Sequence, residues 1–157
     1  LKPRKNVSAR KQVKGLKLPH RKKRLDEVLI WLEDARRDYT AAVNLAKHLD
    51  AKVHREVLRL LHDSVEKSQK ALLLSLGRDF PRGPRGHDLI TLADLAKDKV
   101  KVPNKYADII QDLSLIYTRT RYLEEGSLAE KWYEDAYLLN YVKRVGELNK
   151  WLRTKAG

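Results

Sequence analysis

Apolar residues recur along this chain at intervals of three and four, the spacing that gathers them on one face of an α-helix. Leu25, Val28, Leu29, Leu32, Ala35, Tyr39, Ala42, Ala46 and Leu49 form the first stripe, predicting a helix over about residues 25–50. Val57, Leu61, Ser64, Val65, Ser68, Ala71, Leu72 and Ser75 form the second, predicting a helix over 53–76 that stops at Gly77. The segment RDFPRGPRG then packs two prolines and three arginines into a loop that neither helix nor strand can continue through. A short helix is expected over 88–97. A fourth, carrying Tyr106, Ile109, Ile110, Leu113, Ile116 and Tyr117, runs to about Tyr122. The fifth stripe includes Trp132, Tyr133, Ala136, Tyr137, Leu139, Tyr141, Val145, Leu148, Trp151 and Leu152.

No stretch alternates with a period of two, so no sheet is expected. Four long amphipathic helices with short connections predict an all-α fold: an antiparallel four-helix up-and-down bundle, with the short helix as an appendage. The fifth stripe carries aromatics over more of its surface than one core face needs. An extra apolar face of this kind predicts a homodimer.

Charge divides the chain differently. The net charge is +13, yet eleven of the 34 basic residues lie in residues 1–24, which contain no acid, so the remainder holds 23 basic residues against 21 acidic ones. The expected organisation is therefore a basic arm over 1–24 and a helical domain over 25–157. The arm, with Arg4, Lys5, Arg10, Lys11, Arg21, Lys22, Lys23 and Arg24 prominent, suits contact with nucleic-acid phosphates. It equally suits a solvated arm against a neighbouring subunit.

With no cysteine, disulfides, thiolate metal sites and cysteine nucleophiles are excluded. The absence of methionine, with 35% charged residues, resembles proteins from hot environments. No apolar run is long enough to span a bilayer and no signal-peptide pattern opens the chain, so a cytoplasmic protein without membrane association is expected. The five histidines show no i, i+4 pairing with a carboxylate that reads as a metal site. His54 and His62 are expected as solvated helix positions, and neither metal nor cofactor is anticipated. No phosphate-binding glycine loop and no Glu-x-x-His di-iron motif is present.

Four segments resemble the HEPN family, the "higher eukaryotes and prokaryotes nucleotide-binding" helical domains: WLEDARRDYTAA in the first helix, LLHDSVEKSQKALLLSLG in the second, GHDL at 86–89, and IYTRTRYLEE at 116–125. Their order and spacing agree with the family over about residues 28–150. Asp63 and Ser64 stand where the family has Gln-Ala, Gly86 replaces a threonine, and Leu123 stands where a proline follows Arg-Tyr. The resemblance implies a nucleotide- or RNA-binding domain, often paired with a minimal nucleotidyltransferase in a toxin–antitoxin-like system. It further implies Lys67, Lys70, His87, Arg119, Arg121 and Tyr122 as the phosphate-binding set.

Ribonucleases of this family carry an arginine and a histidine four to six residues apart on a late helix. No histidine follows Arg119 or Arg121 at that distance. Arg82 and His87 have the spacing but lie across a loop, and the local pattern assigns Gly86 or His87 as the cap of the short helix, with Asp88 in its first turn. Glu66, Lys67 and Lys70 read most simply as a solvated, salt-bridged face. Arg121 is expected either to bind phosphate or to tie the fourth helix to an acid such as Glu66 or Asp88. The sequence therefore favours a non-catalytic binding module. A ribonuclease using Arg82, His87, Arg119 and Arg121, and a purely protein-binding scaffold, are the alternatives.

Overall fold

The computed structural model describes the backbone of residues 18–122 and 129–157 and the side chains of 21–119 and 129–157. Five α-helices follow one another: α1 (Leu18–Leu45), α2 (His54–Ser75), α3 (Leu89–Ala96), α4 (Asn104–Tyr122) and α5 (Asp135–Ala156). Short 3-10 turns precede α2, α3 and α5, and no strand occurs among the described residues.

The second, third and fourth helices match their expected bounds within a residue. The first differs at both ends. It starts at Leu18 rather than near 25, with Pro19 in the first turn, where a missing N–H costs no hydrogen bond. It ends at Leu45, where a 3-10 turn over Ala46–Ala51 takes over, bent at His48 and closed by Lys52 in the left-handed region at φ 56°. The apolar period continues through that turn, with Ala46 and Leu49 buried, so periodicity alone carried the helix too far. Trp132 and Tyr133 likewise belong to the turn before α5.

Gly77 ends α2 as expected. At φ 77°, it lets its own N–H reach Leu74 O at 3.0 Å and the Arg78 N–H reach Leu73 O at 2.9 Å, satisfying the last carbonyls of the helix.

Helix α2 packs against each of the other four. Its apolar positions Val57, Leu58, Leu61, Val65 and Leu73 are fully buried, and they meet Leu113 of α4, Leu89 and Leu92 of α3, and Leu138, Leu148 and Leu152 of α5 in one core. The start of α1 lies beside the ends of α2 and α5, where Arg24 and Val28 share a cleft with Leu74 and Ala156. Close contact between α1 and α5 depends on Gly146. A Cβ there would lie 2.2 Å from Tyr39 Oη, the hydroxyl that donates to Val142 O at 3.0 Å. The small residues of α2 serve the same purpose on α5: Asn149 donates to Ser64 Oγ at 2.8 Å and accepts from Ser68 Oγ at 3.2 Å.

The surplus aromatics of the fifth stripe have partners inside the chain. Trp132 meets Tyr137 and Tyr141 edge-on, with centroids 5.0 and 4.8 Å apart, and Trp151 packs on Tyr106. Buried Tyr141 donates to Ile109 O at 3.1 Å, and burial pushes its phenol well above the ordinary tyrosine range.

Candidate nucleotide-binding site around Glu66 and His87

Glu66, Lys70 and His62 of α2 do not lie on a solvated face. Glu66 and Lys70 are each only 7% exposed, and His62 only 1%. Burying unpartnered charge is costly, so such groups need compensation close by. Lys70 Nζ lies 2.6 Å from Glu66 Oε1, one helical turn away. The same ammonium sits 5.2 Å from the Trp31 ring centroid and 5.0 Å from that of Phe80, two rings meeting edge-on. Aromatic faces attract a cation that water no longer solvates.

His87 reaches the same carboxylate from the loop between α2 and α3. Its Nδ1 lies 3.1 Å from Glu66 Oε2 and 3.2 Å from Oε1. An ionised carboxylate only accepts, so Nδ1 carries a hydrogen, and in the neutral ring Nε2 is then the open acceptor. Both imidazoles stack on Tyr117 of α4, His62 with centroids 4.4 Å apart and His87 at 5.9 Å, the latter with its plane nearly parallel to the tyrosine ring at 12°.

The loop is fastened at several points. Phe80 forms one wall of the Lys70 box. Gly86 is buried so tightly beneath Pro81 that a Cβ would fall 2.3 Å from the Pro81 carbonyl oxygen. Arg78 donates to Leu95 O at 2.5 Å and to Asp98 Oδ2 at 2.6 Å, and its guanidinium pulls the Asp98 carboxyl down to about 2.

Asp88, not Gly86 or His87, caps α3. Its Oδ1 accepts from Ile90 N at 3.2 Å and from Ser114 Oγ at 3.2 Å, while Oδ2 accepts from Thr91 Oγ1 at 2.5 Å. Partial burial opposes ionisation, but these hydrogen bonds outweigh it and hold the carboxyl below its ordinary value of 3.8. A depressed folded-state pKa stabilises above the unfolded value, and that contribution disappears as pH falls through the folded value. Asp88→Asn retains a capping oxygen, so its stability deficit at pH 7 is expected to shrink as pH drops below about 4. Urea titrations of both proteins at pH 7 and pH 3 check this. A deficit that stayed constant would contradict the ionised cap.

His87, with its side chain 44% exposed, opens on a cleft of about 600 Å³ whose lining includes Gly83, Asp88, Ser114, Tyr117 and Thr118. Positions 114, 117 and 118 share one face of α4, and helical register puts position 121 on that side, a turn further on. The side chains of Arg121 and Tyr122 lie outside the described residues, as does the expected tie from Arg121 to Glu66 or Asp88.

The other expected phosphate-binding residues disperse. Lys67 turns to α1, where Nζ meets Asp38 Oδ2 at 2.6 Å. Arg119 lines a different cleft of α4 with Asp112, Leu115, Lys131 and Trp132. Arg82 is exposed, lies off the lining of the His87 cleft, and has no hydrogen-bond or ion-pair partner among the described residues. Of the arm residues, Arg4, Lys5, Arg10 and Lys11 lie outside the described residues, whereas Arg21, Lys22, Lys23 and Arg24 form part of α1.

Sequence reading missed the central role of Glu66 and the burial of His54 and His62. His54 is inside, with Nε2 2.8 Å from Asp135 Oδ1. His62 and Glu66 are in fact an i, i+4 pair, and Asp63 adjoins them in HDSVE. That spacing was the available signal.

An all-helical domain with an imidazole–carboxylate–ammonium cluster beneath an open cleft is thus defined by the structure. The HEPN domain model matches residues 28–153, covering most of the chain, and the chain belongs to this family of nucleotide-binding and ribonuclease-type helical domains. No curated protein and no solved structure matches it. No helix among the described residues is long and apolar enough to cross a membrane.

Proposed function

We propose that the chain binds a nucleotide or single-stranded RNA in the cleft beside His87. The observation that carries this reading is the placement of His87. Its ring is fixed by Glu66 and lies parallel to Tyr117, yet remains accessible from the cleft. A flat, held ring is a stacking platform for a base, and its open nitrogen accepts from a hydroxyl or an exocyclic amine. Arg121, on the same side of α4 by register, is the residue for the phosphate, with the basic arm adding a salt-sensitive attraction.

Four long helices, α1, α2, α4 and α5, then form the four-helix up-and-down bundle, with α3 as the appendage and the cleft between α4 and the loop that precedes α3. The helical unit begins with α1 and so includes Arg21, Lys22, Lys23 and Arg24, the basic arm is the segment ahead of it, and the protein acts as a homodimer with a minimal nucleotidyltransferase in a toxin–antitoxin-like pair. Family membership supports that partner, and co-purification of the two proteins tests it.

His87→Ala is expected to weaken binding of a fluorescent ATP analogue or a labelled RNA oligomer about fivefold or more, from the loss of stacking. Affinity for RNA should also fall as salt rises. Anisotropy titrations at two salt concentrations measure both, and unchanged affinity in His87→Ala would remove this site from consideration.

One observation favours RNA cleavage as a second reading. A carboxylate that orients an imidazole, leaving the far nitrogen open to a cleft, is the arrangement of a general base. His87 would take the 2′-hydroxyl proton and a cation would stabilise the phosphorane. Cleavage of RNA by the wild type, abolished in His87→Ala and retained in His48→Ala, would decide for this reading.

A further inference from the structure

We propose that His62 Nδ1, Asp63 Oδ1 and Glu66 Oε2 together bind a first-row divalent transition ion on α2. The three donors come from one helical turn, and one atom from each lies within 4.8 Å of the others. His62 Nδ1 is 3.4 Å from Asp63 Oδ1 and 3.8 Å from Glu66 Oε2. Those separations are long for direct N–H···O hydrogen bonds, which cluster near 2.7–3.2 Å. Bonds of about 2.0–2.2 Å meeting at tetrahedral angles leave donors roughly 3.3–3.6 Å apart, a range that contains the Asp63 separation, while the Glu66 one lies a little outside it.

Arg59 Nη1 lies 3.1 Å from Asp63 Oδ2 and Lys70 Nζ 2.6 Å from Glu66 Oε1, and the other oxygen of each carboxylate is the one that approaches His62 Nδ1. His87 also donates to Glu66 Oε2, making it a positioning residue that fixes the carboxylate without being counted among the three ligands. The His62 ring is buried, and its Nε2 has no hydrogen-bond partner among the described residues. An imidazole enclosed this thoroughly, with Nδ1 facing two carboxylates, is the feature an ordinary surface ion-pair network lacks.

One nitrogen and two oxygens from three residues, with positions left for water, select an ion of the zinc or manganese type over calcium or magnesium, which prefer all-oxygen shells. Asp63 is the least buried of the three and marks the side from which the ion is reached. Arg59 and Lys70 offset the two carboxylates, so moderate rather than extreme affinity is expected.

This inference shares Glu66 with the nucleotide reading, but its test contains no nucleotide. Tag-free full-length protein, stripped with chelator, is titrated calorimetrically with zinc chloride, and the visible spectrum is followed on addition of cobalt chloride. One equivalent of zinc per chain and cobalt bands of a low-coordinate site are expected. Asp63→Asn should weaken zinc at least about tenfold while His48→Ala leaves it unchanged. Asp63 is half-buried, so that variant retains the fold where His62→Gln disturbs the core, and far-UV circular dichroism verifies it. Absence of a one-equivalent zinc site in the wild type, or equal zinc affinity in wild type and folded Asp63→Asn, would overturn the proposal.

Discussion

Glu66→Ala is expected to destabilise the domain by about 3–5 kcal/mol, the usual consequence of removing one partner from a buried ion pair. The alanine leaves Lys70 charged inside the Trp31–Phe80 box with its counterion gone, and it deprives His87 of the acceptor that fixes its ring. A double-mutant cycle separates the charge effect from loss of packing. Lys70→Met should recover part of the deficit in the Glu66→Ala background, since a neutral thioether between two aromatic rings needs no counterion. Urea unfolding of the four proteins gives the coupling. A Glu66→Ala deficit under about 1 kcal/mol would place that carboxylate in the class of weak surface pairs and undo the description of the cluster.

Gly86→Ala is the second large effect. The new Cβ would meet a backbone carbonyl, Pro81 O, at 2.3 Å, and neither proline ring nor peptide plane rotates away as a flexible side chain could. Overpacking of this kind costs about 1–3 kcal/mol. The functional consequence follows from adjacency: when residue 86 moves, His87 moves with it, so the Nδ1–Glu66 contact and the stacking on Tyr117 should both loosen. Thermal denaturation reads the first effect. The histidine side-chain nitrogen resonances read the second, with the His87 Nδ1–H signal lost or broadened in the variant. An unaltered melting temperature together with an intact His87 signal would show that the loop accommodates a side chain there.

Much of the fold was legible because helix formation is a local decision. The stripe through Ile109, Ile110, Leu113 and Ile116 gave α4, Gly77 marked the end of α2, and the proline-rich segment after it broke the helix in the expected place. Errors arose where a local signal had two readings. Ala46 and Leu49 keep the apolar period whether the backbone is α or 3-10, so the first helix was drawn too long at that end. Asp88 was placed one position inside α3, although an aspartate is as good a cap as a first-turn residue. Trp132, Tyr137 and Trp151 find aromatic partners inside the chain that the stripe does not show, while Tyr133 and Leu139 stay exposed.

The candidate site was less legible. GHDL directed attention to His87, and the likeness to the family included Glu66, but the charged residues of α2 were read as facing water. Whether Glu66 is solvated depends on α1, α4 and the loop closing over its side of α2, while Glu56 and Arg59 elsewhere on the helix stay exposed. No run of residues on α2 encodes that. Arg82 was singled out by its spacing to His87 and Arg119 by the family resemblance, and the backbone places neither in the lining of the His87 cleft.

The sequence by itself determined the helical elements, the break after Gly77, the concentration of positive charge in the first 24 residues and membership of the HEPN family, since each depends on neighbours within a few positions or on order along the chain. Only the tertiary structure decided that Glu66 meets His87 from 21 residues away and that Tyr117 stacks on two imidazoles. The physical reason is that a charge is buried or solvated according to what surrounds it in space, and its compensating partners are brought there by packing rather than by sequence proximity.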